Sequence, residues 1–297
     1  MIQQNASIPN LFVIGVAKCG TTTLHSLLDT HPDINMSSQK EPHFFVDEKN
    51  INALTTPTVQ TKEEYFKLFD TQKSYQYYGE ASPSYSWNLS ALKRIKENNP
   101  TAKFILILRD PFARVYSHFQ MEIHAERERS LSLIKAIQNE NQRDQTVWGT
   151  DKLYLPLSQY AKVLSHLTNE FEAADYLVLY YEKFFADVSS NLNLISHFLG
   201  LQDFQFESNL TKKQNEGSYS SHLMKWLKKL PGRTMIPNSV KVPLKKLVNR
   251  NARSINQKEV DFILPFLLND LHKQYELGYD FYPLMVQEKY GIDLKLK

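Results

Sequence analysis

The chain has 297 residues, 42% of them hydrophobic, a formal net charge of +3 and a single cysteine, Cys19. That length buries a sizeable core as one large α/β domain, and the lone cysteine excludes an intrachain disulfide framework and leaves a zinc site without its usual cysteine ligands. The opening MIQQNASIPN has neither a basic nor an apolar leader region and no apolar run approaches membrane-spanning length, so a soluble, cytoplasmic protein is expected.

The first element is an apolar strand over 11–16, followed by Ala17-Lys18-Cys19-Gly20 and then Thr21-Thr22-Thr23, which opens an amphipathic helix over 21–30. A glycine turn between a strand and a helix presents backbone N–H groups at a helix N-terminus, a ready anion cradle. Gly15 and Gly20 have the separation of a Walker loop, yet Thr21 stands where the ATPase lysine belongs and Lys18 lies inside the turn. Such a lysine still neutralises a phosphoryl or sulfuryl group but leaves the arrangement that presents Mg-ATP. Cys19, small and with no base beside it, reads as packing rather than as a nucleophile.

A short strand near 34–36 precedes the stretch 37–60, whose weak periodicity and length mark a functional loop. Within it lies Lys40-Glu41-Pro42-His43-Phe44-Phe45, a carboxylate and an imidazole beside two apolar rings. A helix over 61–70, a strand over 76–80 and a helix over 86–98 follow. The strand runs into Gly79-Glu80-Ala81-Ser82-Pro83-Ser84-Tyr85, where Glu80 suits either an acceptor contact or a strand-end cap.

The strand 103–108 ends at Arg109, after which Asp110 caps and Pro111 begins a helix over 111–127. Ser117 lies about two turns along that helix, within reach of a phosphate held by Arg109 at the carboxyl edge of the sheet. An NTPase strand would end in a magnesium-binding aspartate, whereas arginine holds a phosphate bidentately without metal.

Helices are expected over 157–170, 189–199, 219–230 and 257–276, with a strand over 175–180. The segment 212–253 holds eleven Lys/Arg and one acidic residue, Glu216. Its amphipathic HLMKWLKKLPGR suits an anionic glycan or peripheral contact with a membrane surface, although a solvated helix face is the commoner use of such a pattern. No nucleic-acid-binding module accompanies the charge, so nucleic acid is not an expected partner. Strands alternating with helices predict an α/β fold: one domain over 1–297, P-loop-like and three-layered, with a central parallel sheet flanked by helices and a helical C-terminal part.

IGVAKCGTTTL and LILRDPFARVYSHF together, with YLVLYYEKFFADVSSNLNLISHFLGL further on, resemble the PAPS-dependent sulfotransferases (PAPS, 3′-phosphoadenosine-5′-phosphosulfate). The resemblance is to the heparan-sulfate-type carbohydrate branch and its soluble bacterial relatives. It implies that Lys18, Cys19, Gly20, Thr21, Thr22 and Thr23 hold the 5′-phosphosulfate, that Arg109 and Ser117 hold the 3′-phosphate, and that Lys18 steadies charge on the leaving oxygen with no metal. KEPHFF matches the family's Glu-x-His-Phe-Phe element, which implies Glu41 as catalytic base with His43 beside it; in the small-molecule branch a histidine is the base, and His43 is then the nearest candidate. The branch commonly carries lysine after the glutamate of the Gly79-Glu80 element, where this chain has Ala81; Glu80 and Tyr85 are left as weaker acceptor-side candidates. A loose match to the family's basic closing loop implies Lys213, Gly217 and Ser218 at the cofactor. The acceptor implied is a carbohydrate, a glycolipid or another small hydroxyl compound. The alternatives are a P-loop kinase and a non-catalytic nucleotide or polyanion binder.

Overall fold

The computed structural model describes residues 9–52, 54, 56–140, 142–143, 152–203 and 254–296. The expected helix 219–230 and the basic segment 212–253, with Lys213, Gly217 and Ser218, lie outside the described residues.

Five strands form one parallel sheet: β1 (Leu11–Gly15), β2 (Ile34–Met36), β3 (Tyr77–Ala81), β4 (Lys103–Leu108) and β5 (Tyr176–Tyr180), in the order β2-β3-β1-β4-β5. The central β1, LFVIG, is buried along its whole length because helices cover both sheet faces. Its Phe12 stands opposite Glu80 on one side and Phe104 on the other, so a carboxylate sits in the middle of the sheet.

Helix α1 (Thr21–Leu28) starts from Gly20 in the left-handed region, at φ 89°, and turns Leu24, Leu27 and Leu28 into the core. Two short helices, α2 (Glu48–Ile51) and α3 (Lys62–Phe66), interrupt and follow the long loop; the second is shorter than expected, and Thr61 caps it by accepting from the Glu64 amide. The expected helix 86–98 is a 3-10 turn at Pro83–Ser86 followed by α4 (Ser90–Asn98). Helix α5 (Pro111–His124) begins as read: the Asp110 side chain accepts from the amides of Phe112 and Ala113, with Pro111 in the first turn.

Helix α6 (Leu133–Glu140) was not expected, because its fourth inward position is a glutamate rather than an apolar residue. Then come a 3-10 turn at Pro156–Ser158, α7 (Ala161–Glu170), the unexpected α8 (Tyr181–Ala186) directly after β5, and α9 (Val188–Leu199), stopped by Gly200 at φ 67°. Helix α10 (Gln257–Glu276) opens on a capping box between Asn256 and Glu259. The last helix, α11 (Phe281–Tyr290), escaped the sequence pattern because its apolar residues do not share one side: Tyr282 and Val286 are buried while Leu284 is exposed.

The main core surrounds the sheet, and a second cluster joins α5 to α6, α10 and α11 through Phe112, Val115, Leu133, Ile137, Val260, Ile263, Leu267 and Val286. The C-terminal helices therefore pack beneath the helix that begins just after Arg109.

Candidate active site

A cleft of about 440 Å³ lies at the carboxyl ends of the strands, and the turn or helix after each of the five supplies part of its lining. The turn after β1 gives Ala17, Lys18, Gly20, Thr21 and Thr22; the loop after β2 gives Glu41 and His43, with Leu54 and Thr56. Pro83, Ser84 and Trp87 follow β3; Arg109, Ser117, Met121 and Arg127 follow β4; Tyr181 follows β5.

On one wall, the first intrahelical bond of α1 runs from the Leu24 amide to the Gly20 carbonyl at 3.0 Å, so the amides of Gly20 to Thr23 precede the helical ladder and are available as anion donors. Gly20 is required here twice over: φ is positive, and a Cβ would lie 2.8 Å from the Phe185 ring. Lys18, itself at φ 72°, places Nζ 3.3 Å from the Met121 sulfur, a weak acceptor for an ammonium. Its carbonyl accepts from Arg109 Nη1 at 3.1 Å, and the Arg109 guanidinium lies 4.6 Å over the Tyr181 ring. Burial holds the Lys18 amine below its ordinary pKa, and the charges of Arg109 and Arg114 lower it further.

Arg109 Nε is buried and has no hydrogen-bond partner among the described residues. An orphaned guanidinium nitrogen, a half-satisfied lysine and a helix N-terminus together fit a phosphorylated anion, which would meet each of these needs. Thr21 and Thr22 line the cleft, whereas Thr23 is not part of its lining.

Cys19 is corrected by the geometry. It is wholly buried, its amide donates to the Val16 carbonyl at 3.1 Å, and burial pushes the thiol up to about 12. It shapes the turn from behind and offers nothing to a ligand.

The Arg109 turn is braced from three directions. Tyr160 OH donates to the Arg109 carbonyl at 2.9 Å, and the Asp110 amide donates to Glu182 at 3.1 Å, whose other oxygen accepts from Tyr282 OH at 2.6 Å. Asp110, besides capping α5, accepts from Lys289 Nζ and from Tyr290 OH, each at 2.5 Å. The expected cap is thus also the anchor for α11.

The opposite wall carries the expected carboxylate and imidazole. His43 Nδ1 is 2.7 Å from Ser84 Oγ and Nε2 is 2.8 Å from Thr56 Oγ1, with Glu41 Oε2 3.8 Å away. Burial drives its pKa down to about 4, so the ring is neutral at physiological pH. The setting of Glu41 differs from expectation: its side chain is 33% exposed to the open cleft and pairs with Lys40 rather than lying among the apolar rings. Those rings turn inward instead, Phe44 stacking on Tyr65 at 4.3 Å and Phe45 packing edge-on against Phe12.

Glu80 and Tyr85 are not acceptor contacts. Both are completely buried behind the cleft, because Glu80 belongs to the interior of the sheet. Its carboxylate accepts from Tyr65 OH and Tyr85 OH at 2.8 Å and from Ser82 Oγ at 2.5 Å, and burial raises it to about 7.

Met121, Trp87, Ser84, Tyr181 and Arg127 went unrecognised in the sequence. Met121 was within reach, since it follows Ser117 by four residues and so shares its helix face. Arg127, gripped by the buried Glu122 at 2.7 and 2.6 Å, gave no such signal.

Residues 9–205 match the family model described as "Sulfotransferase family". Human heparan sulfate glucosamine 3-O-sulfotransferase 3B1 is 29% identical over 236 residues, 76% of this chain and 56% of that protein. The membrane-associated sulfotransferase kil1 of Dictyostelium discoideum is 33% identical over 116 residues, 39% of this chain and 23% of its own length. The chain thus spans about half, or less, of the length of these curated relatives. Among solved structures, a sulfotransferase from Alicyclobacillus acidocaldarius superposes with a TM-score of 0.60 at 27% identity, covering 69% of this chain and 89% of that one. With two thirds of its length matched and the strand–turn–helix sites in place at one cleft, the chain belongs to the sulfotransferase family.

Proposed function

We propose that this chain transfers a sulfuryl group from PAPS to a hydroxyl of a carbohydrate, a glycolipid or another small acceptor, without a metal ion. The observation that carries this reading is the meeting of Lys18, Arg109 and Ser117 with Glu41 and His43 in a single cleft, cations on one wall and a carboxylate on the other. PAPS, when bound, supplies the activated sulfuryl group. The amides of Gly20 to Thr23 and the Lys18 ammonium would hold its 5′ end, and Arg109 with Ser117 its 3′-phosphate.

Lys18 has a second task in this reading. Sulfuryl transfer leaves negative charge on the departing oxygen, and a fixed, partly desolvated cation at that point lowers the barrier by a few kcal/mol. Glu41, facing the cleft, takes the proton of the attacking hydroxyl. His43 is neutral and bonded through both nitrogens to hydroxyls, which suits an orienting neighbour better than the principal base. The cation set also does the work that magnesium does in a kinase, which supports the metal-free reading.

The acceptor class is supported by the relative named for the glucosamine of heparan sulfate. No helix among the described residues is long and apolar enough to cross a membrane. The test is a screen of sugars, glycolipids and small phenols with labelled PAPS in the presence of a chelator. Labelled product on a sugar or glycolipid is expected; transfer that demands added metal, or no transfer to any acceptor while PAP binds, contradicts the proposal.

A further inference from the structure

We infer that Glu80 is a positioning residue, which through the hydroxyls of Ser82 and Tyr85 fixes the backbone of the loop that carries Glu41 and His43. The inference deepens the proposed function and rests on its assignment of that loop to the acceptor side.

The loop needs an external hold. Glu41 and His43 both occupy the left-handed region, at φ 62° and 53°, a conformation unfavourable for residues with a Cβ and kept only where surroundings over-determine it. Three alternate amides of the loop are tied to the end of β3 and the turn after it. The Glu41 amide donates to the Ala81 carbonyl at 3.1 Å, the His43 amide to Ser82 Oγ at 3.1 Å, and the Phe45 amide to Tyr85 OH at 3.2 Å.

Two of those three acceptors are hydroxyls, and a hydroxyl that accepts from an amide keeps one proton to place. Ser82 Oγ places it on Glu80 Oε2 at 2.5 Å and Tyr85 OH on Glu80 Oε1 at 2.8 Å. The buried carboxylate therefore orients both hydroxyls with their lone pairs toward the loop, and each amide–hydroxyl–carboxylate chain is strengthened by polarisation. An amide in its place cannot do this. The Nε2 of a glutamine would donate toward Ser82 Oγ, leaving the serine proton without its acceptor.

Tyr65 provides an internal control. Its hydroxyl reaches the same Glu80 oxygen at the same 2.8 Å and it is as deeply buried, yet that hydroxyl bonds no amide among the described residues of the loop. Phenylalanine at either position keeps the ring, including the stack of residue 65 on Phe44.

The experiment compares Tyr65→Phe, Tyr85→Phe, Glu80→Gln and the double variant Glu80→Gln/Tyr85→Phe in the full chain. It reads kcat and KM for transfer, PAP affinity by calorimetry, and hydrogen exchange at the His43 and Phe45 amides. Tyr85→Phe is expected to lower kcat by about tenfold to hundredfold, through displacement of Glu41, with PAP affinity unchanged and exchange at Phe45 accelerated. Tyr65→Phe should leave kcat and exchange near wild type even where it lowers the melting temperature equally. Because the glutamine oxygen still accepts from Tyr85, adding Tyr85→Phe to Glu80→Gln should add the Phe45 exchange response of Tyr85→Phe to the His43 response of Glu80→Gln.

Equal losses of kcat in the two tyrosine variants, or unchanged exchange at both loop amides in Tyr85→Phe and Glu80→Gln, would overturn the inference. Should Glu80→Gln fail to fold, the tyrosine pair decides alone. If the wild type transfers sulfuryl to nothing, the proposed function fails, while the exchange comparison still decides whether Glu80 holds the loop.

Discussion

The wall of the cleft formed by the turns after β1 and β4 presents backbone amides, a helix terminus and cations from two strand–turn–helix segments braced from outside by Tyr160, Glu182 and α11, whereas the wall formed after β2 and β3 is held by side-chain hydroxyls around one buried carboxylate. The first wall presents Lys18, Arg109 and the start of α1, all built from contiguous strand–turn–helix segments. The second joins residues about 40 positions apart, His43 to Ser82 and Ser84, and Phe45 to Tyr85. A donor common to a family can be gripped by a rigid, locally encoded cradle, while an acceptor side assembled from long-range contacts on a loop is free to vary.

The division of labour between the walls gives the largest expected effect. Replacing Glu41 by Gln keeps the shape of the second wall and removes the proposed base, so turnover should fall by roughly 10²–10⁴-fold with PAP affinity unchanged in calorimetry. Turnover retained in that variant would move the base elsewhere and blur the comparison.

Arg109→Ala strikes the other wall. Losing a charge-assisted grip on the 3′-phosphate should weaken PAP by about tenfold to hundredfold, with a much smaller effect on adenosine 5′-phosphosulfate, which lacks that group. An equal loss for both ligands would assign Arg109 to the 5′ end instead.

A third test uses pH to separate the walls by stability. His43 is held at about 4 against an ordinary 6.5, so it contributes stability that is fully present above pH 6.5 and lost as pH falls through 4. His43→Gln should therefore be more destabilising at pH 7.5 than at pH 4, by about 2–3 kcal/mol in denaturant titrations. A pH-independent difference would mean that the second wall does not bury a neutral imidazole.

The smallest effect is expected where α11 supports the first wall. Tyr290→Phe removes one of the two donors that α11 gives Asp110 and should cost about 1 kcal/mol of stability, with PAP affinity only slightly weakened. A large loss of PAP affinity would make the C-terminal helix part of the binding machinery rather than its brace.

The same contrast explains what the sequence disclosed. All five strands were legible to within a residue, and β1 and β4 most plainly, because strands buried on both faces read as apolar runs such as LFVIG and KFILIL. The turn with Lys18 and the Asp110-Pro111 cap were legible for the same local reason. Helix α11 was not, since its burial is decided by Asp110, Glu182 and the second core rather than by its own periodicity. Glu80 was left between an acceptor contact and a strand-end cap, and is neither, because nothing adjacent to it in sequence announces Tyr65 as a partner or the loop after β2 as what its hydrogen bonds support. Cys19 lay within the right motif but on its inner side, where the turn spends its amide on Val16.

The proposed function makes the cleft a metal-independent site for a 3′-phosphorylated adenosine donor, which calorimetric titration of the wild-type chain probes. With a chelator present, PAP should bind, and Mg-ATP, titrated separately, should bind far more weakly. Tight binding of Mg-ATP with no detectable binding of PAP would contradict the account and return the Lys18 turn to the nucleotide kinases.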